Sequence, residues 1–337
     1  MVDVSVIIVC MNRPDILFPC LDSIRAHTRL SYELLLVAYR FSAENMQSLV
    51  ERYPWVDVIP SRETRGFSEN NNLALKQAKG RFCFIVNDDT LMNVPVIDSL
   101  VADFSRLPSS AAAISPCIRF ADGRIQTCGR TPWTAWRYAK HYLHLVDEAS
   151  EADGGTHPRI SGHPRPDKRE GPAGFAGGRG RSEAEAIREC VPPSALFQTY
   201  TLNGACFLIR TEVFREAGWF DERFFFTPED IALGHKLNDM GYTVWADADV
   251  PITHLAGGSV SAMEAAIKPA RVRGSLIFYG EPLWLKLLIA CFESLRLAKY
   301  TFLPHSARND LMKKTAGNVL KTVFSHLSPK EIFIRFS

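Results

Sequence analysis

The residues best suited to chemistry stand at the end of a short apolar run. Phe82-Cys83-Phe84-Ile85-Val86 is rich in aromatic and β-branched side chains and reads as a buried strand, and it ends abruptly in Asn87-Asp88-Asp89. Carboxylates delivered to the carboxyl edge of a parallel sheet suit a divalent cation that carries a phosphorylated ligand. The same tripeptide equally suits a solvated turn. Far along the chain, Glu229-Asp230 follow Pro228 at the head of an apolar-periodic segment, where acids favour the positive end of a helix and cap its donors. Adjacent helical positions diverge by about 100°, so these two carboxylates must face different targets. His254 closes a short apolar segment and, on its own, reads as a satisfied core or turn histidine.

The elements around these residues alternate. Val4 to Val9 is a continuous apolar run expected as a central strand covered on both faces. Asn12-Arg13-Pro14-Asp15 turns into a helix whose buried face is Ile16, Leu17, Leu21 and Ile24. Glu33 to Ala38 is a second strand, Met46, Leu49, Val50 and Tyr53 mark a second helix, and Trp55 to Ile59 a third strand. Gly66 to Lys79 is helical in its later part and stops at Gly80. Three such alternations before Asn87 predict an α/β domain with a parallel sheet wound by right-handed crossovers. No G-x-G-x-x-G follows the first strand and no G-x-x-x-x-G-K-[ST] occurs, which removes the main sequence support for dinucleotide binding and P-loop chemistry.

Beyond Asp89 the pattern gives a helix over about Val96 to Leu107, a strand over Ala111 to Ile118, and a hairpin turn at Asp122-Gly123. Residues of about 150–195, especially Asp153 to Arg181, are rich in Gly, Pro and Arg, and read as a mobile insertion. Tyr200 to Ile209 is a strand interrupted by Asn203-Gly204, a bulge or a point of close approach. Tyr242 to Ala246 and Ile252 to His254 are the last strands. The tail segment Pro282 to Lys299 is strongly apolar, but its uncharged run falls short of the roughly 20 residues that span a bilayer. It suits a membrane interface, its own domain, or a second copy in a homodimer.

Composition excludes other classes. The 337 residues are 46% hydrophobic and 23% charged with a net charge of +2, ordinary for a globular protein and unlike a dedicated nucleic-acid binder. The eight cysteines are scattered without a C-x-x-C pair, which argues for reduced thiols in a cytoplasmic protein and against a zinc site. Met1 to Cys10 reads as a first strand, not a signal peptide.

In ordered combination, four blocks resemble the inverting nucleotide-sugar glycosyltransferases of the GT-A fold, family 2, rhamnosyltransferase-like branch. They are Val6 to Ile24 with Asn12-Arg13; Arg65-Gly66-Phe67 through Asn72 to Asn87-Asp88-Asp89; Asn203-Gly204-Ala205 to Arg210 with Gly218 to Phe225 and Glu229-Asp230; and His254 to Ser259. The resemblance spans roughly Val4 to Ser259, so it implies a GT-A domain over residues 1–262, Rossmann-like with a mostly parallel sheet, followed by a helical extension over 263–337. It implies that Asp89 and His254 hold Mn²⁺ or Mg²⁺, the imidazole favouring manganese. It implies Asp230 as the general base. Asn12, Arg13, Tyr39, Arg65, Gly66, Asn72, Asn87, Asp88, Gly204, Ala205 and Glu229 would serve the nucleotide-sugar side. A dTDP- or UDP-sugar donor and a polysaccharide or lipid-linked acceptor at the inner face of the cytoplasmic membrane complete the expectation. Members usually carry an acidic residue after the second strand; here Val37-Ala38-Tyr39-Arg40-Phe41-Ser42 lacks it. That departure keeps open a GT-A scaffold that binds without turnover. A nucleotidyltransferase, whose sheet begins similarly, would need a Gly-rich basic loop that Cys10-Met11-Asn12-Arg13-Pro14 does not supply.

Overall fold

Apolar runs that cannot remain in water set the centre of the sheet. In the computed structural model, which describes residues 2–145, 195–255 and 263–337, β1 (Val4–Cys10) lies between β2 (Tyr32–Tyr39) and β4 (Phe82–Val86), parallel to both. Strand β3 (Asp57–Ser61) extends the parallel side beyond β2. Because side chains alternate along a strand, Val4, Val6 and Ile8 enter one core while Ile7 enters the other. Helix α1 (Pro14–His27) covers the first core with Leu17, Leu21 and Ile24. Helix α3 (Phe67–Leu75) covers the second with Ala74 and Leu75. Helix α2 (Ala43–Arg52) adds Leu49 to the first core, and Ser42 caps it by accepting from the Asn45 amide.

The sheet has ten strands in the order β3-β2-β1-β4-β9-β6-β10-β5, with β7 on β6 and β8 on β10. The expected parallel winding describes its β3-β2-β1-β4 side. Past β4 the direction changes, since β9 (Cys206–Arg210) runs antiparallel between β4 and β6 (Ala111–Arg119). Of the run expected as one strand from Tyr200 to Ile209, the stretch from Cys206 belongs to β9; β8 (Leu196–Thr199) ends just before the run, and Asn203-Gly204 lies in the turn before β9. Conversely, the last two expected strands form one, β10 (Thr243–His254), with a register shift between Asp247 and Pro251. The Asp-Gly hairpin is present: Gly123 has a φ of 85° in the turn to β7 (Ile125–Thr127). The two-residue β5 (Thr90–Leu91) closes the sheet against the end of β10. Most of the 150–195 insertion, and Ala256 to Ser259 of the last resemblance block, lie outside the described residues.

Eight further α-helices lie among the described residues. These are α4 (Val96–Asp103), α5 (Ala135–Tyr142), α6 (Thr211–Glu216), α7 (Glu229–Asp239), α8 (Glu264–Phe278), α9 (Leu283–Phe302), α10 (Ala307–Thr322) and α11 (Pro329–Phe336). Ile332 and Phe333 of α11 pack with Phe225 of the aromatic loop and Ala266, Ile267 and Ala270 of α8. Phe225 in turn accepts from the Phe67 amide at 2.9 Å, which seats the loop on the start of α3. Gly66 makes that approach feasible, because a Cβ there would collide with the Phe225 carbonyl.

Two glycine substitutions test this packing. Gly66→Ala forces backbone against backbone and is expected to cost about 1–3 kcal/mol, as overpacking does. Gly317→Ala, in open space within α10, should instead stabilise by about 0.5–1 kcal/mol. Urea unfolding of both variants measures the difference, and equal midpoints would refute the close approach at Gly66.

Candidate active site

Sheet register brings the first two functional side chains together. Strand β4 ends at Val86 and releases Asn87-Asp88-Asp89 at the carboxyl edge. Strand β10 returns antiparallel to β5, with His254 opposite Thr90, and the Leu255 amide donates to the Asp89 carbonyl at 2.8 Å. The result is His254 Nε2 at 3.0 Å from Asp89 Oδ1. On its other side, His254 Nδ1 lies 2.8 Å from Gln126 Oε1, on β7. An amide oxygen only accepts, so Nδ1 carries the proton and Nε2 turns its lone pair toward Asp89. Asp89 Oδ1 is buried and makes no hydrogen bond despite the short contact. With the ring neutral, two electron-pair donors therefore converge on one locus.

That arrangement fits a divalent cation. A carboxylate oxygen and an imidazole nitrogen form a mixed O/N donor set that suits manganese and accommodates magnesium less readily, and Gln126 supplies the second contact that fixes a ligating histidine's tautomer. Asp88 adds to the acidity of the place. Burial, and then the neighbouring Asp89, push its carboxyl up to about 6, partly offset by a hydrogen bond from the Cys10 thiol. Burial and Asp88 push that thiol up in turn. Crowded carboxyls of this kind are relieved by a cation.

The third residue is tied to the same strand end through one loop. The Asn87 amide donates to the Ala205 carbonyl at 2.9 Å, and the adjacent Gly204 amide donates to Asp230 Oδ2 at 2.9 Å. Arg130 Nη1 reaches the same oxygen at 3.0 Å, with both side chains largely buried. Asp230 Oδ1 accepts only from the Ile231 amide, at 2.8 Å, at the head of α7. Oδ2 thus has two donors and Oδ1 one. Among the described residues, Oδ1 is therefore the less occupied acceptor.

Glu229 and Asp230 diverge as their helical positions require. Glu229 is 6% exposed and its Oε2 has no hydrogen-bond partner. Burial first, and the Asp230 charge second, push its carboxyl well above the usual range. It belongs to the packing beneath the site, where burial favours its protonated form.

The parallel half of the sheet brings other expected residues to the same edge. Asn12 follows β1 with a φ of 51°, and its Oδ1 accepts from the Ser42 amide and from Asn45 Nδ2. Arg13 pairs with Asp15 at 2.8 Å. Tyr39 ends β2, and its hydroxyl accepts from the Arg65 amide at 3.4 Å. Arg65 bonds Glu63 and Ser61, while the Gly66 amide donates to Glu69 at 3.0 Å. Asn72 is a different case. It is 2% exposed, and Nδ2 donates to the Phe220 carbonyl and to Glu222 while Oδ1 accepts from the Phe220 amide. Its amide holds the aromatic loop and has almost no capacity left for a nucleotide.

Arg130 and Gln126 were not among the residues singled out from sequence. Both lie on or just after the short hairpin strand, where no motif marks them. The one available signal was indirect, since a partly buried Asp230 requires a cation or donors nearby.

Comparison with known proteins agrees with this arrangement. The family model of glycosyl transferase family 2 matches residues 5–153. Over 257 residues the chain is 29% identical to the O-antigen biosynthesis protein RfbC of Myxococcus xanthus, covering 74% of this chain and 17% of that protein. Over 249 residues it is 25% identical to N-acetylglucosaminyl-diphospho-decaprenol L-rhamnosyltransferase of Mycobacterium tuberculosis, covering 70% of each. Among solved structures, GalNAc-T7 with UDP, GalNAc and Mn²⁺ superposes with a TM-score of 0.53 at 16% identity, over 77% of this chain and 44% of that one. The chain thus spans less than half of the solved relative and under a fifth of the myxobacterial one. By these matches the chain is similar over residues 5–153 to glycosyl transferase family 2, its sheet and helices have the GT-A arrangement, and its relatives are named for rhamnosyl transfer and O-antigen biosynthesis.

Proposed function

We propose that the chain is an inverting, metal-dependent glycosyltransferase that moves a sugar, rhamnose in the first instance, from a nucleotide-diphosphate donor onto a polysaccharide or lipid-linked acceptor. The observation that carries this reading is the short path of two hydrogen bonds donated by backbone amides, Asn87 to the Ala205 carbonyl and Gly204 to the Asp230 carboxylate, that ties Asp230 to the Asp89 and His254 pair. Asp89 and His254 would hold Mn²⁺ or Mg²⁺, which when bound neutralises charge on a departing nucleoside diphosphate. Asp230 Oδ1 takes the proton of an acceptor hydroxyl while that oxygen attacks the anomeric carbon on the face opposite the diphosphate. Single displacement inverts that centre. Arg130 and the Gly204 amide hold the other oxygen still, so the free lone pair keeps its direction. The donor side is assigned to the loops after β1, β2 and β3, with Asn12, Arg13, Tyr39, Arg65 and Gly66. The name of the mycobacterial relative supports a rhamnosyl donor and a diphosphate-lipid acceptor.

A thermal-shift screen of the purified chain against UDP-, dTDP- and GDP-sugars, each with Mn²⁺ and with EDTA, tests donor and metal together. A donor near 100 times its dissociation constant adds about 2.7 kcal/mol to the folded state. A metal-dependent shift with one nucleotide supports the reading and names the base; no shift with any donor moves it toward a scaffold without turnover.

Three substitutions divide the roles. Asp230→Asn should retain donor binding and lose at least about two orders of magnitude in kcat, and unchanged turnover would remove it as the base. Gln126→Ala, which frees the His254 ring, should weaken Mn²⁺ binding roughly 10- to 100-fold in a calorimetric titration. Glu229→Gln tests the protonated form of Glu229. A carboxyl whose folded value is raised makes the folded state lose stability as pH climbs from its unfolded value near 4.5 toward the folded one. Across that window the variant's Tm should rise progressively relative to the parent, and parallel Tm curves would show that Glu229 is ionised in the fold.

A further inference from the structure

Helix α9 turns an unusual face to solvent. Its exposed positions include Leu283, Trp284, Leu287, Cys291, Leu295, Ala298 and Phe302. At 100° per residue, Trp284, Cys291, Leu295 and Phe302 fall within about 20° of one line, with Leu287 and Ala298 beside it. The stripe runs the length of a 20-residue helix. Leu287 is 54% exposed, Leu295 67% and Phe302 88%. Soluble monomers rarely leave so long an apolar line uncovered. The neighbouring helix extends it, since Trp136 of α5 is 61% exposed and its ring centroid lies 6.2 Å from that of Trp284.

Charge along the stripe is mostly basic, with Glu281 and Asp310 at its two ends. Between Pro282 and Arg308 the sole carboxylate is Glu293, which is fully buried and held by Lys268, Arg296 and Tyr142. Lys286, Arg296, Lys299 and Arg308 are the basic residues of the same segment, and residues 132–145 of the α5 region contain Arg137 and Lys140 and no acid. Lys140 lies over the Trp136 ring at 5.8 Å. An apolar line with aromatic rings and with Lys140 and Lys299 at its rim, its own carboxylate buried and the flanking Glu281 tied to Arg273 and Lys286, matches the interface of an anionic bilayer. No helix among the described residues is long and apolar enough to cross a membrane, so contact on this face lies in the plane of the surface.

We propose that the face formed by α9 and Trp136 of α5 docks on the surface of an anionic phospholipid membrane. Its apolar line enters the headgroup boundary and Lys140 and Lys299 meet lipid phosphates. One short segment links the docked face to the site. Arg130, which bonds Asp230, lies six residues before Trp136 in the chain, and Tyr138 of α5 stacks on Tyr279 beside α8 at a centroid distance of 5.4 Å. An acceptor carried in the membrane would then reach Asp230 without leaving the lipid surface. The docking itself does not depend on the glycosyltransferase reading, and the test uses neither donor nor acceptor.

The full chain is sedimented with vesicles of phosphatidylglycerol and phosphatidylethanolamine, and with vesicles of phosphatidylcholine alone, in parallel with analytical ultracentrifugation without lipid. The expected result is co-sedimentation with the anionic vesicles, weakened by salt, with a blue shift of tryptophan emission. Leu287→Glu/Leu295→Glu should lower the partition constant at least tenfold with an unchanged circular dichroism spectrum. Trp136→Ser, on the other helix, should lower it in the same direction and guards against a folding defect confined to α9. The proposal is overturned if the anionic vesicles leave the chain in the supernatant, or if both variants bind as the parent does. It is also overturned if the chain forms a dimer that the double variant dissolves while no vesicle binding is seen, because a second copy then covers the face.

Discussion

The pairing of β10 with β5 is the constraint on which the candidate site depends. Two residue pairs of register, Thr253 with Leu91 and His254 with Thr90, carry an imidazole across the sheet to a carboxylate 165 positions earlier in the chain. Because side chains alternate with a period of two, a slip of one residue would turn His254 to the opposite face and remove it from Asp89. The Leu255 amide on the Asp89 carbonyl pins that register from the backbone. Gln126 then sets which imidazole nitrogen faces the carboxylate. A short strand of three residues, β7, thereby acquires an influence out of proportion to its size.

Much of the parallel half could be read in the sequence because its signals are local. Val4 to Val9, Glu33 to Ala38 and Phe82 to Val86 are uninterrupted apolar runs, and burial on both faces is what such runs require. The Asp-Gly turn has a mechanism at the level of one residue, the positive φ of Gly123. The antiparallel insertion of β9 between β4 and β6 had no comparable signal, since direction depends on partners more than 90 residues away. The break between β8 and β9 was visible as Asn203-Gly204 and was open to two readings. The structure resolves it as a turn whose amide serves Asp230.

The candidate site divides in the same way. Asp89 and Asp230 could be singled out as acids at a strand end and a helix start, whereas His254 gained a role only through the resemblance to the glycosyltransferases. Arg130 and Gln126 could not, because a hairpin arginine or glutamine is ordinary until tertiary structure supplies its partner. Asn72 illustrates the reverse error. A polar residue early in a helix beneath the carboxyl edge looks available to a ligand, yet its amide closes three hydrogen bonds to the loop 148 to 150 residues away. Burying an amide without those bonds would be costly, so holding the loop is a sufficient reason for its presence.

The helices after residue 263 connect these parts physically. Glu293 is completely buried, a position a carboxylate tolerates only with its charge and lone pairs satisfied. Lys268 from α8, Arg296 from α9 and Tyr142 from α5 all converge on its Oε1 within 2.9 Å. One charge cluster therefore fixes three helices relative to each other. Through α8 and α11 the same unit supports Phe225 and, by the Phe225 carbonyl, the start of α3. Through α5 it holds the segment that begins five residues after Arg130, the partner of Asp230. Hydrophobic packing alone would let these helices slide by small steps with little penalty, whereas three directional bonds to one buried oxygen admit one arrangement. The exposed apolar face of α9 and the carboxylate proposed as base are thus held in a single geometry by a residue that belongs to neither.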